Sequence, residues 1–293
     1  MKIHAFVGWG MGFIGLFGIA ACGASDGKGD SQAQSPLVAD DEERTATVDF
    51  VGYNHKGDVG YSAAAEFIQG RLYGPGAKET RVKEGSCTIT NWQLFDREDP
   101  EHPPVFVSAG EIALSGAKLP PNSVMKPTDN FRYPYFYGTE LLWTGGEDIR
   151  IAAAGSPRGV GAFDATLKAP SHITVTKPSL DDIEAIDRSK DLELAWTNLE
   201  AASGTVWVTI EAIDEGFQGG VNVKCEYPAS LETAKVPAST LRVFPVARYG
   251  SMLIESAERQ TVTVPPWKVN VALRAEGTRA ESGRGASVSV KFL

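Results

Sequence analysis

From Thr45 onward, apolar and polar residues alternate with a period of two through one segment after another, and no long stretch carries a helical period. Leu192, Leu194 and Trp196 alternate with Glu193, Ala195 and Thr197; Val206, Val208, Ile210 and Ala212 with Trp207, Thr209 and Glu211. Val221, Val223 and Cys225 face away from Asn222, Lys224 and Glu226, and the same rhythm returns over 268–274 and 287–292. Successive side chains of a strand point to opposite faces, so this pattern predicts half-buried antiparallel strands. Gly216, Gly219-Gly220, Pro228, Pro237, Gly250, Pro265-Pro266 and Gly277 supply the turns between them. The expected fold class is all-β, with packed antiparallel β-sandwiches.

The earlier half is rougher. Strands are expected at Thr45–Val51, Ala63–Ile68, Cys87–Leu94, Glu111–Ser115, Phe131–Tyr137, Asp148–Ala153 and Phe163–Lys168. Pro170 and Pro178 bracket the strand His172–Thr176, which places a domain boundary there. Two sandwich domains, 45–170 and 171–293, are one arrangement; a single larger sandwich sharing strands is the other. Asp191-Leu192-Glu193-Leu194-Ala195-Trp196-Thr197 resembles the second strand of a fibronectin type III or immunoglobulin-like module with its core tryptophan. The resemblance implies such a fold for residues 171–293, although no tyrosine stands at the expected corner.

The first 22 residues, MKIHAFVGWGMGFIGLFGIAAC, place Lys2 before an uncharged run from Ala5 to Ala21. A spanning helix needs about 20 apolar residues, and this run is shorter and weakened by glycine, so residues 1–21 read as a signal peptide. Ile19-Ala20-Ala21-Cys22 resembles the lipobox of bacterial lipoproteins. That resemblance implies cleavage before Cys22 and acylation of its thiol. Gly23 after the cysteine implies sorting to the outer membrane of a Gram-negative cell. The expected partner of Cys22 is thus the lipid bilayer; two or more acyl chains hold stably where one is marginal. Residues 22–44 hold little to bury and read as a flexible tether.

The 28 Lys+Arg against 37 Asp+Glu leave a formal net charge of −9. Without basic clusters, no nucleic-acid partner is expected. Beyond His4, the histidines His55, His102 and His172 are isolated in sequence, and neither HExxH nor CxxC occurs, so no metal or cofactor site is expected. The GxGxxG match at Gly10–Gly15 lies inside the signal peptide and lacks a preceding strand. The acid run Asp96-Arg97-Glu98-Asp99-Pro100-Glu101 reads as a solvated loop or a calcium site, and Asp181-Asp182-Ile183-Glu184 as a solvated loop.

In an extended Asn130–Tyr137, the side chains of Phe131, Tyr133, Tyr135 and Tyr137 share one face and Phe136 takes the other. Such a stripe either packs as core or contacts a ligand, because tyrosine joins an apolar face to a hydrogen-bonding end. Cys87 and Cys225 both fall in strand-like segments. Export to an oxidising compartment permits a disulfide between them, and two separate buried thiols stand equally as the alternative. Two functions remain open at this point. One is a non-enzymatic binding or structural module of the envelope that engages a protein or a glycan. The other is an envelope hydrolase or carbohydrate-active enzyme that uses the 96–101 acids and the aromatic stripe.

Overall fold

Alternation turns into strands wherever the apolar face finds a second sheet to cover it. The computed structural model describes residues 44–293, apart from 57, 71–77, 94–103, 119–123, 199–203, 214–218 and 247–248. Cys22, the tether up to residue 43, His102 and the 96–101 acids lie outside the described residues.

The strands of the first part are β1 (Arg44–His55), β2 (Asp58–Gln69), β3 (Lys78–Glu84), β4 (Cys87–Gln93) and β5 (Val105–Phe106). Then come β6 (Ile112–Ser115), β7 (Val124–Met125), β8 (Phe136–Gly138), β9 (Asp148–Ala153) and β10 (Phe163–Lys168). The next five are β11 (Ile173–Lys177), β12 (Ala185–Ile186), β13 (Leu192–Asn198), β14 (Thr205–Ile213) and β15 (Gly219–Pro228). The last are β16 (Thr233–Val236), β17 (Tyr249–Val264), β18 (Trp267–Glu276), β19 (Thr278–Arg279) and β20 (Ser287–Phe292). The chain is an all-β sandwich of antiparallel-rich sheets.

One large sheet runs in the order β3-β4-β15-β14-β17-β18-β1-β2-β5, with β8 added to β2, β20 to β17 and β12 to β20. It draws strands from both sides of residue 170. Within it β1 and β18 run parallel, with Val48 opposite Val271 and Phe50 opposite Leu273. Two smaller sheets, β10-β9-β6-β7 and β16-β13-β11-β19, complete the set.

Two cores result. In the first, Val48, Phe50, Phe67, Val269, Val271 and Leu273 gather with Ile112, Ile149, Ile151 and Phe163. Trp143 and Leu142 are fully buried among them. In the second, Val206, Val208, Ile210, Val223, Met252 and Ile254 cluster with Ile173, Val175, Leu194 and Trp196. Trp196 donates its indole N–H to the Ala229 carbonyl at 2.9 Å, which satisfies its one polar atom inside the core. Each such aliphatic or aromatic side chain contributes about 1.5–3 kcal/mol by leaving water.

Three local results differ from the alternation-based reading. The stretch expected as a strand over Phe131–Tyr137 is strand only at Phe136–Gly138: Phe131 sits at φ 63° in a turn closed by the Thr128 N–H on the Arg132 carbonyl, and residues 132–135 belong to no strand. β17, with 16 residues, is unmarked by alternation. Ile254, Glu255, Ser256 and Ala257 in its middle are all buried, since apolar core lies on one side and a layer of large polar side chains on the other. β3 is charged on both faces, as suits a strand at the margin of a sheet, where charge discourages pairing with other chains.

Candidate functional site

The large sheet has one face on the two cores, and its other face carries the polar positions of the alternation. Registers place these side chains in rows. Trp207 of β14 lies opposite Glu226 of β15 and Glu255 of β17, and Glu255 opposite Glu276 of β18. Asp49 of β1 lies opposite Ala272 of β18 and Ala64 of β2. Tyr137 of β8 lies opposite Ser62 of β2, which brings the end of the aromatic stretch to the same outer face.

At the centre of this face is Arg274. Its Nε and Nη2 donate to the two oxygens of Asp49 at 3.1 and 3.0 Å, a two-pronged contact that matches the planar guanidinium. Its Nη1 donates to both oxygens of Glu255 at 3.1 and 3.3 Å. The Glu255 side chain is 3 % exposed and that of Arg274 13 %. Burial works against the charge on Arg274, but the Glu255 and Asp49 carboxylates outweigh it and hold the guanidinium above its ordinary value. Burial pushes the Glu255 carboxyl up, with Arg274 opposing. Glu276 is pushed up to about 7, by burial first and then by Glu255 across the strand pair.

Beside this network, the Lys224 ammonium lies 3.0 Å from the centroid of the Trp207 ring, with the Arg259 guanidinium 5.7 Å from the same ring. Arg259 also pairs with Glu226 at 2.9 Å. Burial lowers Lys224 to about 8. At the other margin, Arg132 stacks 4.0 Å from the centroid of the Phe106 ring and acts on the charge of Glu66.

The end of β1 and β18 is closed over by the turn that follows β19. Lys56 donates its backbone N–H to the Gly283 carbonyl at 2.9 Å. A Cβ on Gly285 would stand 2.4 Å from Glu276 Oε1 and 2.7 Å from His55 Cε1, so a side chain there would have to displace the pair. His55 Nε2 is 3.6 Å from Glu276 Oε2. Burial lowers the His55 pKa, with Asp58 opposing, and burial also lowers that of His172.

The four aromatics expected to share a face are divided. Tyr133 is buried in the first core, where its hydroxyl accepts from the Ala109 N–H at 2.9 Å and donates to the Gly110 carbonyl at 2.7 Å. Its ring meets Phe67 edge-on, 5.6 Å between centroids. Phe131 is exposed on the turn. Tyr135 and Tyr137 are exposed, their ring centroids 4.9 Å apart, and the Tyr135 hydroxyl is near enough to act on the charge of Arg274. Cys87 and Cys225 form a disulfide between directly opposed positions of β4 and β15. Asp181 pairs with Arg279 at 3.2 Å and accepts from the Ser282 hydroxyl at 2.8 Å, a role in loop architecture. No cluster of His, Cys, Asp and Glu suited to a metal ion occurs among the described residues.

Asp49, Trp207, Lys224, Arg274 and Glu276 escaped the sequence reading because each holds an outward position of an ordinary alternating strand, and Glu255 because β17 shows no alternation around it. The one available signal was Trp207, a large apolar ring in the polar register of β14. No family model matches the chain, and no curated protein matches it either.

Proposed function

We propose that this chain is a lipid-anchored protein of a Gram-negative envelope, acylated on Cys22 and held at the outer membrane, and that it works as a non-enzymatic binding module. The observation that carries the binding role is the Asp49–Arg274–Glu255 network, built into the sheet face that no core needs. Buried ion pairs add little stability over apolar side chains of the same volume. Their value lies in holding polar groups in one geometry, which is what recognition requires of a surface. Lipidation is supported by Ile19-Ala20-Ala21-Cys22. The test is expression of the whole chain with a labelled fatty acid. Label retained by the native chain and lost in Cys22→Ser supports the anchor, and an unlabelled native chain refutes it.

One observation favours an enzyme instead. Glu276, pushed up to about 7, faces Glu255 across β17 and β18, and a carboxyl that holds its proton near neutral pH beside a second one is the equipment of general acid catalysis. Under that reading the purified protein releases new reducing ends from an envelope polysaccharide, and Glu276→Gln abolishes the release.

A further inference from the structure

We infer that the outer face binds a neutral glycan chain laid across β8, β2, β1 and β18, with Tyr135 and Tyr137 as its stacking platform. This inference rests on the binding-module reading and names its ligand.

The platform is already formed. Tyr135 is 40 % and Tyr137 70 % exposed, and their rings are tilted 40° to each other. Two adjacent aromatic faces of this kind suit the C–H faces of successive sugar rings, while the phenol ends hydrogen-bond to hydroxyls. Next to them the face is floored by small residues. Ala64 and Ala272 flank Asp49 in register, and Ser62 lies opposite Tyr137. The Asp49 carboxylate therefore stands above its neighbours, 36 % exposed. Arg274 fixes its orientation, and its remaining lone pairs can accept from sugar hydroxyls.

Charge selects the class of ligand. Asp49 and Glu255 are held by Arg274, Glu226 by Arg259, and Lys224 rests on Trp207. With its charges compensated inside the sheet, the face presents fixed dipoles and aromatic rings rather than a net field. It is matched to a hydroxylated, uncharged polymer and not to an anionic or a cationic one. A protein partner fits less well, since the centre of a protein interface is depleted of charged residues and here the charges hold the centre with the tyrosines at the margin.

The experiment titrates the intact lipidated protein in detergent with chitohexaose, cellohexaose and maltohexaose, followed by intrinsic fluorescence and calorimetry. At least one hexasaccharide is expected to bind. Tyr135→Ala and Tyr137→Ala should each weaken it tenfold or more without changing the melting temperature, while Tyr137→Phe, which keeps the ring, stays within about threefold. Absence of binding to any of the three, or binding indifferent to both alanine variants, overturns the inference. A photo-crosslinking phenylalanine at position 137 in living cells separates this failure from failure of the broader reading. A protein adduct there, without glycan binding, overturns the glycan and keeps the binding module. Neither adduct nor glycan binding overturns both.

Discussion

Glu276 sets a pH dependence that a single substitution removes. Its carboxyl has an ordinary value of 4.5 and is pushed up to about 7 by burial and by Glu255 opposite. The folded state therefore holds this proton more tightly than the unfolded chain does. The resulting stabilisation is fully present below pH 4.5 and is lost as pH rises to about 7. At about 1.4 kcal/mol for each pH unit, the interval amounts to about 3 kcal/mol. Glu276→Gln keeps the shape and removes the titration. The variant should match the parent near pH 4.5 and exceed it by up to about 3 kcal/mol at pH 8, which is roughly 6–12 °C in melting temperature for a protein of this size. Urea unfolding followed by tryptophan fluorescence at pH 5 and pH 8 reads the difference, with an unchanged m-value showing that only stability has moved. Equal pH slopes in parent and variant would refute the reasoning. So would a variant less stable than the parent at pH 8, because Glu276 would then be ionised and usefully paired with His55 or Arg279.

The other expectations concern the network, the bridge, the buried tyrosine and the histidines. Arg274→Met leaves the carboxylates of Glu255 and Asp49 without a counter-charge and should cost about 3–5 kcal/mol, part of which returns in Arg274→Met/Glu255→Gln; urea midpoints of the two variants decide this. The disulfide spans 138 residues, so Cys87→Ser/Cys225→Ser should lose about 4–5 kcal/mol on the chain-entropy account, and thiol labelling of the native protein should find neither cysteine free. Tyr133→Phe strands the Ala109 N–H and should cost about 1–2 kcal/mol by thermal melting, whereas Tyr137→Phe should change nothing. Burial lowers the pKa of His55 and of His172, so their contribution is complete above pH 6.5 and shrinks as pH falls below it. His172→Gln should therefore flatten the acid limb of the stability curve and leave the alkaline limb unchanged.

Period-two alternation is a local property of the chain, and it marked β14, β15, β18 and β20 together with the inward registers of Val206, Val223, Val271 and Phe292. It failed where a strand is covered on both faces, as in the middle of β17, and where backbone conformation breaks the run, as at Phe131. Neither core keeps to one side of Pro170: Val269, Val271 and Leu273 join the first and Cys87 and Ile89 the second, because the large sheet draws strands from both sides. The outer-face network was beyond sequence reasoning for a further reason. Asp49 and Arg274 are 225 positions apart and meet because β1 runs parallel to β18, while Glu255 joins from β17 on the other side. Likewise Tyr133 and Tyr135 are two residues apart yet end in a core and on a surface, since residues 132–135 form no strand to keep them in step. By itself, then, the order of residues determined that the chain forms strands and which side of most of them avoids water, because solvent sorts each side chain where it stands. Which polar side chains meet on the far side depended on strand pairing and register, and these are set by packing between segments that the sequence holds far apart.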